Sequence, residues 1–237
     1  MTKSPRYWAV LASAGGGARM GMGKPKQYLA LRGQALIEWS IAPFLDVGWI
    51  DGVVVVLARG DSDFPKLPIA GHPKIFTVAG GVSRAESVLS GLQAVDQRSR
   101  VLEAPVFVLV HDAARPCLTG DDIETLREEA SDEHGGLLAL PLNETLKREE
   151  REKSVATLER QELWRAQSPQ LFRLDLLRSA LEAAVSAGQM PEDEAAAMER
   201  ANYRPCLVRG RESNVKVTYP EDVPLAEFWL SRQEYVR

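Results

Sequence analysis

Five short apolar runs recur along the chain: WAVLA (8–12), GVVVVLA (52–58), KIFTVA (74–79), PVFVLVH (105–111) and GGLLALPL (135–142). Runs this short, with few polar breaks, predict strands buried on both faces. The stretches between them carry a helical period. ALIEWSIAPFLDV (35–47) sets Leu36, Ile37, Ile41, Phe44 and Leu45 on one stripe, and SRAESVLSGLQAV (83–95) does the same with Val88, Leu89, Leu92 and Val95. DDIETLREEA (121–130) opens on carboxylates, the charge that a helix N-terminus favours. Strands alternating with amphipathic helices predict βαβ units and an α/β fold, a Rossmann-like mostly parallel sheet with helices on both faces.

The pattern changes after residue 140. NETLKREEREKSVATLER (143–160) is polar and charged, with REEREK at its centre. It reads as two exposed strands joined by a charged tip, an extended β-hairpin arm that interrupts one domain spanning 1–237. Thr145, Lys147 and Arg160 are placed on its strands. Helices resume at RLDLLRSALEAAVSAG (173–188) and EDEAAAMERA (192–201). Two short strands follow, in PCLVRG and SNVKVT, and then a final helix from PEDVPLAEFWL.

Composition narrows the chemistry. A formal net charge of −4 over 237 residues gives no global field for nucleic acid or an anionic membrane, so any anion site must be a local cluster of cations. Cys117 and Cys206 stand far apart, which argues for free thiols instead of a disulfide framework or a cysteine zinc site. No run approaches the roughly 18 apolar residues of a membrane span. The N-terminus lacks the apolar stretch and cleavage site of a signal peptide, so a cytoplasmic location is expected.

Ligands of open parallel sheets sit outside the carboxyl ends of the strands. After the first strand comes SAGGGARMG (13–21), followed by Lys24 and Lys26. The sequence satisfies neither GxxxxGK followed by Ser or Thr, nor GxGxxG, where Met20 stands at the last glycine. Glycines there still let backbone N–H groups approach phosphate oxygens, with Arg19 as a planar fork of donors and Lys26 as a point charge. The alternative is a glycine-rich turn with solvated basic residues. After the third strand, Gly80 and Gly81 permit close backbone approach. Ser83 or Ser87 can donate to a base or ribose, or Ser83 can cap the next helix. After the fourth, Asp112 is a hard carboxylate suited to a hard divalent cation that bridges phosphates, and Arg115 lies within reach of the same charge. His72, His111 and His134 have no metal-binding spacing. Lys216, between Val215 and Val217, is either a solvated strand residue or one turned into a site.

These motifs together resemble the sugar-phosphate nucleotidyltransferases. Within them AGGGARMG…KPKQYL, GGVSRAESVLSGL, HDAARP and NVKVTYPED are similar to the 2-C-methyl-D-erythritol 4-phosphate cytidylyltransferase family, over residues 8–230. The resemblance implies a homodimeric, CTP-dependent enzyme of non-mevalonate isoprenoid biosynthesis that uses Mg2+, other divalent cations being possible. It implies that Arg19, Lys26 and Lys216 hold the phosphates and that Ala14, Gly15, Gly16, Gly17, Gly80, Gly81, Ser87, Asp112 and Ala113 bind the nucleotide. Arg84 carries over with the second motif, and Asp112 is the metal ligand. Arg115, Thr145, Arg160 and Ser168 are assigned to the acceptor, a polyol phosphate, with Thr145 and Arg160 supplied by the arm of a second subunit. The family commonly has Thr where Ser168 and Glu192 stand. A hydroxyl is kept at the first position, and the second is not carried over, because a carboxylate repels phosphate. No fused cyclase domain is expected. The rival readings are a ribitol-5-phosphate cytidylyltransferase, a non-catalytic nucleotide sensor and an NAD-dependent dehydrogenase; the failed dinucleotide fingerprint counts against the last.

Overall fold

The computed structural model describes residues 4–15, 25–99 and 104–234. In chain order the elements are β1 (Arg6–Ser13), β2 (Ala30–Leu31), β3 (Gln34–Ala35), α1 (Leu36–Asp46), β4 (Ile50–Leu57), β5 (Ile75–Ala79), α2 (Arg84–Ser99), β6 (Val106–Asp112), α3 (Gly120–Ala130) and β7 (Gly136–Pro141). There follow β8 (Leu146–Glu150), β9 (Lys153–Leu158), β10 (Trp164–Arg173), α4 (Leu174–Ser186), α5 (Glu194–Arg200), β11 (Cys206–Arg209) and α6 (Asp222–Glu234). All five apolar runs form strands.

Seven strands make one sheet in the order β11-β7-β10-β6-β1-β4-β5. Neighbours run parallel except at β10, which is antiparallel to both β6 and β7. Alternate residues of each central strand enter opposite layers. On one face Ala9, Leu11, Val53 and Val55 pack with Ile37, Ile41 and Phe44 of α1 and Ile123 and Leu126 of α3. On the other, Val10, Val54, Val56, Val108 and Val110 meet Val88, Leu92 and Val95 of α2, Leu177 and Leu181 of α4 and Met198 of α5. Gly91 sets the distance of α2 from the sheet: a Cβ there would stand 2.5 Å from Val10 Cγ1 and 2.9 Å from Val56 Cγ2. A third, smaller cluster seats Ala226 and Leu230 of α6 against Leu31, Leu36, Cys117 and Val217.

Two features depart from the sequence expectation. The strand β10 lies where no strand is expected, because Gln167, Ser168 and Gln170 break its apolar run. These polar side chains are nonetheless buried. They are accommodated at a register shift between Ala166 and Gln170, where the ladder to β7 opens, and each makes hydrogen bonds. The segment SNVKVT is not a strand. Val217 N–H donates to Ala114 O at 2.8 Å instead of to a sheet ladder, so Lys216 does not lie mid-strand.

Cys117 is buried and Cys206 exposed, both free. Burial pushes the Cys117 thiol up to about 12. A thiol-reactive disulfide reagent at pH 8 is therefore expected to titrate one thiol per native chain quickly and the second only after denaturation. Two fast thiols would contradict the packing of Cys117 beneath α6.

Candidate functional site

The carboxyl ends of β1, β5 and β6 open on one side of the sheet and surround a cavity of about 270 Å³. Its wall includes Ala14 and Gly15 after β1, Gly81, Arg84 and Ser87 at the start of α2, Asp112 and Ala113 at the end of β6, and Lys26 and Lys216. The groups after β1, β5 and β6 meet here because each follows a strand of the same parallel set, and Lys216 is brought to them by the bond from Val217 N–H to Ala114 O. Gly16, Gly17 and Arg19 lie outside the described residues.

Local hydrogen bonds shape each loop. The buried Gln27 amide donates to Ser13 O at 3.1 Å, tying the Pro25–Lys26–Gln27 turn to the end of β1. Lys26 Nζ donates to Val217 O at 3.0 Å, which joins the opening loop to the last motif. Ser83 caps α2: Glu86 N–H donates to Ser83 Oγ at 3.1 Å, and Ser83 N–H donates to the Glu86 carboxylate at 2.7 Å. Ser87 Oγ accepts from Gly81 N–H at 3.2 Å and donates to Ser83 O at 2.8 Å, holding the loop in shape. Gly80 is required by crowding, since a Cβ would stand 2.6 Å from Ala14 Cβ and 2.7 Å from Ser87 Oγ.

Asp112 is the electrostatic centre. Lys216 Nζ stands 2.7 Å from its Oδ2, Arg84 Nη2 3.2 Å from Oδ1, and Arg115 Nε 3.8 Å from Oδ2. Burial raises the carboxyl's pKa, but Arg84, Lys216 and Arg115 together outweigh it and hold the group well below the ordinary carboxylate range. Arg115 is itself fixed, donating to Asn214 O at 2.7 Å and to Ala166 O at 3.4 Å. It faces a neighbouring cavity beside Arg165 and Lys216 instead of the one around Asp112.

Behind Asp112 lies a buried relay. Asp112 N–H donates to Ser168 Oγ at 3.0 Å, and the same oxygen is 3.0 Å from His111 Nδ1. His111 Nε2 faces Arg115 O at 3.1 Å. A carbonyl only accepts, so Nε2 carries the proton and Nδ1 accepts from the serine. Burial pushes the His111 pKa down to about 4, which keeps the ring neutral. Asn214 Nδ2 donates to Ser168 O at 2.8 Å. The Ser168 hydroxyl thus supports the end of β6 and is not on the cavity wall, the place an acceptor contact requires.

One charged residue of the site escapes sequence reasoning. Glu194, the first residue of α5, is 1% exposed and grips Arg84 with both oxygens, at 2.6 and 3.1 Å. The acidic run that opens EDEAAAMER reads as solvated. The signal was its place beside Asp193, which caps α5 by accepting from Ala196 N–H at 2.8 Å and so turns the next side chain inward.

The arm is a two-stranded antiparallel ribbon, β8 against β9. At its tip Arg151 and Glu152 both take positive φ, 52° and 63°, the signature of a tight type I′ turn. Thr145 precedes β8 and Arg160 follows β9, so of the three residues expected on the strands only Lys147 lies on one. The Arg160 guanidinium donates to Asn143 O, bracing the base of the ribbon. Neither Thr145 nor Arg160 lines the cavity of its own chain.

Among the described residues no three His, Cys, Asp or Glu side chains gather as a metal set. Asp112 is the sole carboxylate on the described cavity wall. A cation that keeps several waters and is bridged by phosphates needs only one or two protein carboxylates. The donor set therefore suits Mg2+ arriving with a nucleotide. No described helix is long and apolar enough to cross a membrane.

Residues 7–232 match the family model of IspD, 2-C-methyl-D-erythritol 4-phosphate cytidylyltransferase. The protein of that name from Mannheimia succiniciproducens is 46% identical over 226 residues, covering 95% of this chain and 96% of the relative. That from Yersinia pestis is 45% identical, covering 97% and 94%. A crystal structure of 4-diphosphocytidyl-2C-methyl-D-erythritol synthase superposes with a TM-score of 0.83 at 33% identity, over 97% of this chain and 100% of the other. That of the Francisella tularensis 2-C-methyl-D-erythritol 4-phosphate cytidylyltransferase gives 0.79 at 31% identity, over 94% and 99%. With residues of four motifs converging on one cavity, and with these relatives matched over nearly their whole length, the chain belongs to the 2-C-methyl-D-erythritol 4-phosphate cytidylyltransferase family.

Proposed function

We propose that this protein transfers the cytidylyl group of CTP to 2-C-methyl-D-erythritol 4-phosphate, giving 4-diphosphocytidyl-2-C-methyl-D-erythritol and pyrophosphate. The observation that carries the reading is the convergence of Ala14–Gly15, Lys26, Gly81, Ser87, Asp112–Ala113 and Lys216 on one cavity. An acceptor phosphate oxygen attacks the α-phosphorus of CTP, and the bond to the bridging oxygen of pyrophosphate breaks in line. The ionised phosphate is already a nucleophile, so no strong general base is required. The neutral, buried His111 fits that economy.

The barrier is mainly the meeting of two anions, and it is lowered by positioning and preorganised positive charge. Lys26 and Lys216, with Arg19, hold the triphosphate. The backbone at Gly80–Gly81 and at Ala14–Gly15 lies against base and phosphates, and the sequence motif assigns Gly16 and Gly17 to the same nucleotide. Asp112 would hold Mg2+, which supplies charge neutralisation at the phosphates when bound. Ser168 steadies Asp112 from behind, and Arg115 braces the same carboxylate on the acceptor side. Pyrophosphate release that requires both CTP and methylerythritol phosphate tests the reading.

In the proposed enzyme the arm joins two copies into a homodimer, with Thr145 and Arg160 reaching the neighbouring subunit's acceptor phosphate. Exposed Val155, Leu158, Leu163 and Trp164 on and beside the ribbon support a covered role for it. If sites are shared in this way, mixing the K26A and R160A variants under exchange restores activity to about a quarter of wild type, since half the dimers are mixed and each has one intact site. No restoration would place both residues in one subunit's site.

A further inference from the structure

We infer that Glu194 is a positioning residue for Asp112, acting through Arg84. Asp112 is taken here in the metal-holding role proposed above.

Arg84 stands in the first turn of α2, where the helix dipole disfavours a cation. Its guanidinium has five N–H donors. Four hydrogen bonds join it to two carboxylates: Nη1 and Nη2 to Glu194, and Nε and Nη2 to Asp112 Oδ1, the last two at 3.4 and 3.2 Å. A guanidinium so committed is a poor clamp for phosphate. It serves as a bracket between the two acids. The shorter contacts go to Glu194, so Arg84 is drawn back from Asp112. The Glu194 charge is the largest influence on the Arg84 pKa and raises it.

Glu194 is itself anchored. Gln170 of β10 accepts from Ala195 N–H at 2.8 Å and donates to Asp193 at 3.0 Å, pinning the start of α5 to the sheet. The consequence falls on Asp112. Three cations already surround it, and an added divalent cation must compete with them for its oxygens. With two of these four hydrogen bonds turned to Glu194, Arg84 competes less. A Gln at 194 removes the charge and keeps the shape, so Arg84 closes bidentately on Asp112.

The test reads the Mg2+ concentration giving half-maximal thermal stabilisation at a fixed, saturating CTP concentration, for wild type, E194Q, R84M and the double variant. E194Q is expected to raise that concentration five- to tenfold, and E194D, which keeps the charge on a shorter stem, two- to threefold. In the R84M background E194Q is expected to shift it no further, because the effect travels through the guanidinium. A purely structural Glu194 would lower every melting temperature and leave the Mg2+ dependence unmoved. That result, or an equal shift in the R84M background, overturns the inference. Should E194Q fail to fold, E194D decides: a wild-type Mg2+ dependence then overturns it. Pyrophosphate release by wild type, measured alongside, separates a failure of the cytidylyltransferase reading from a failure of this one.

Discussion

Replacing Asp112 by Asn is expected to cut turnover by about 1,000-fold and to lower stability at the same time. Both losses have one origin. Asp112 is the negative hub among Lys216, Arg84 and Arg115. An amide keeps the shape but not the charge. Arg84 retains Glu194, and the half-exposed Lys216 can turn to solvent. Arg115 has no such escape, because its side chain is 11% exposed and its remaining partners are backbone carbonyls. Leaving a buried charge unpaired costs about 3 kcal/mol. For a domain of this size that lowers Tm by roughly 6–12 °C. Calorimetry and pyrophosphate release on one preparation check both parts. A D112N protein with wild-type Tm, or with a tenth of wild-type turnover, would remove Asp112 from the centre of the site.

The second large effect is expected at Lys26 and Arg19. Each alanine variant should lose about 100- to 1,000-fold in turnover at saturating CTP, roughly 3–4 kcal/mol of transition-state stabilisation, with the fold intact. Lys26 Nζ reaches across to Val217 O at 3.0 Å, next to Lys216, so the two lysines approach the same cavity from the first and last motifs. Truncating Lys26 removes its hydrogen bond to the partly buried Val217 carbonyl, a loss of about 1 kcal/mol for that bond. Rate and stability therefore separate here, unlike at Asp112. Losses below tenfold in both variants would sink the assignment.

The sequence was legible where one force dominates. Val53 to Val56 can only be a buried strand, and the stripe Ile37, Ile41, Phe44 only a helix facing a core. Motifs after those strands had to lie at the same edge of a parallel sheet, so Gly80, Asp112 and Gly15 were brought together by topology alone. Legibility failed where polar groups are buried in pairs. The QSPQ stretch of β10 looks like a loop until Ser168 meets His111 and Gln170 meets the start of α5. Glu194 looks solvated until Arg84 arrives from 110 residues away. Such partnerships leave no periodicity, because each partner is chosen by the fold. Lys216 was misplaced on a strand for the opposite reason. Its alternating Val215 and Val217 mimic β patterning, yet the segment packs under α6 with no ladder beside it.

The most direct measurement is pyrophosphate release from CTP and Mg2+ with methylerythritol phosphate and ribitol phosphate offered in parallel. Release is expected with the first and none with the second. Release with ribitol phosphate alone would keep the nucleotide site and overturn the acceptor, and silence with both despite CTP binding would contradict catalysis itself.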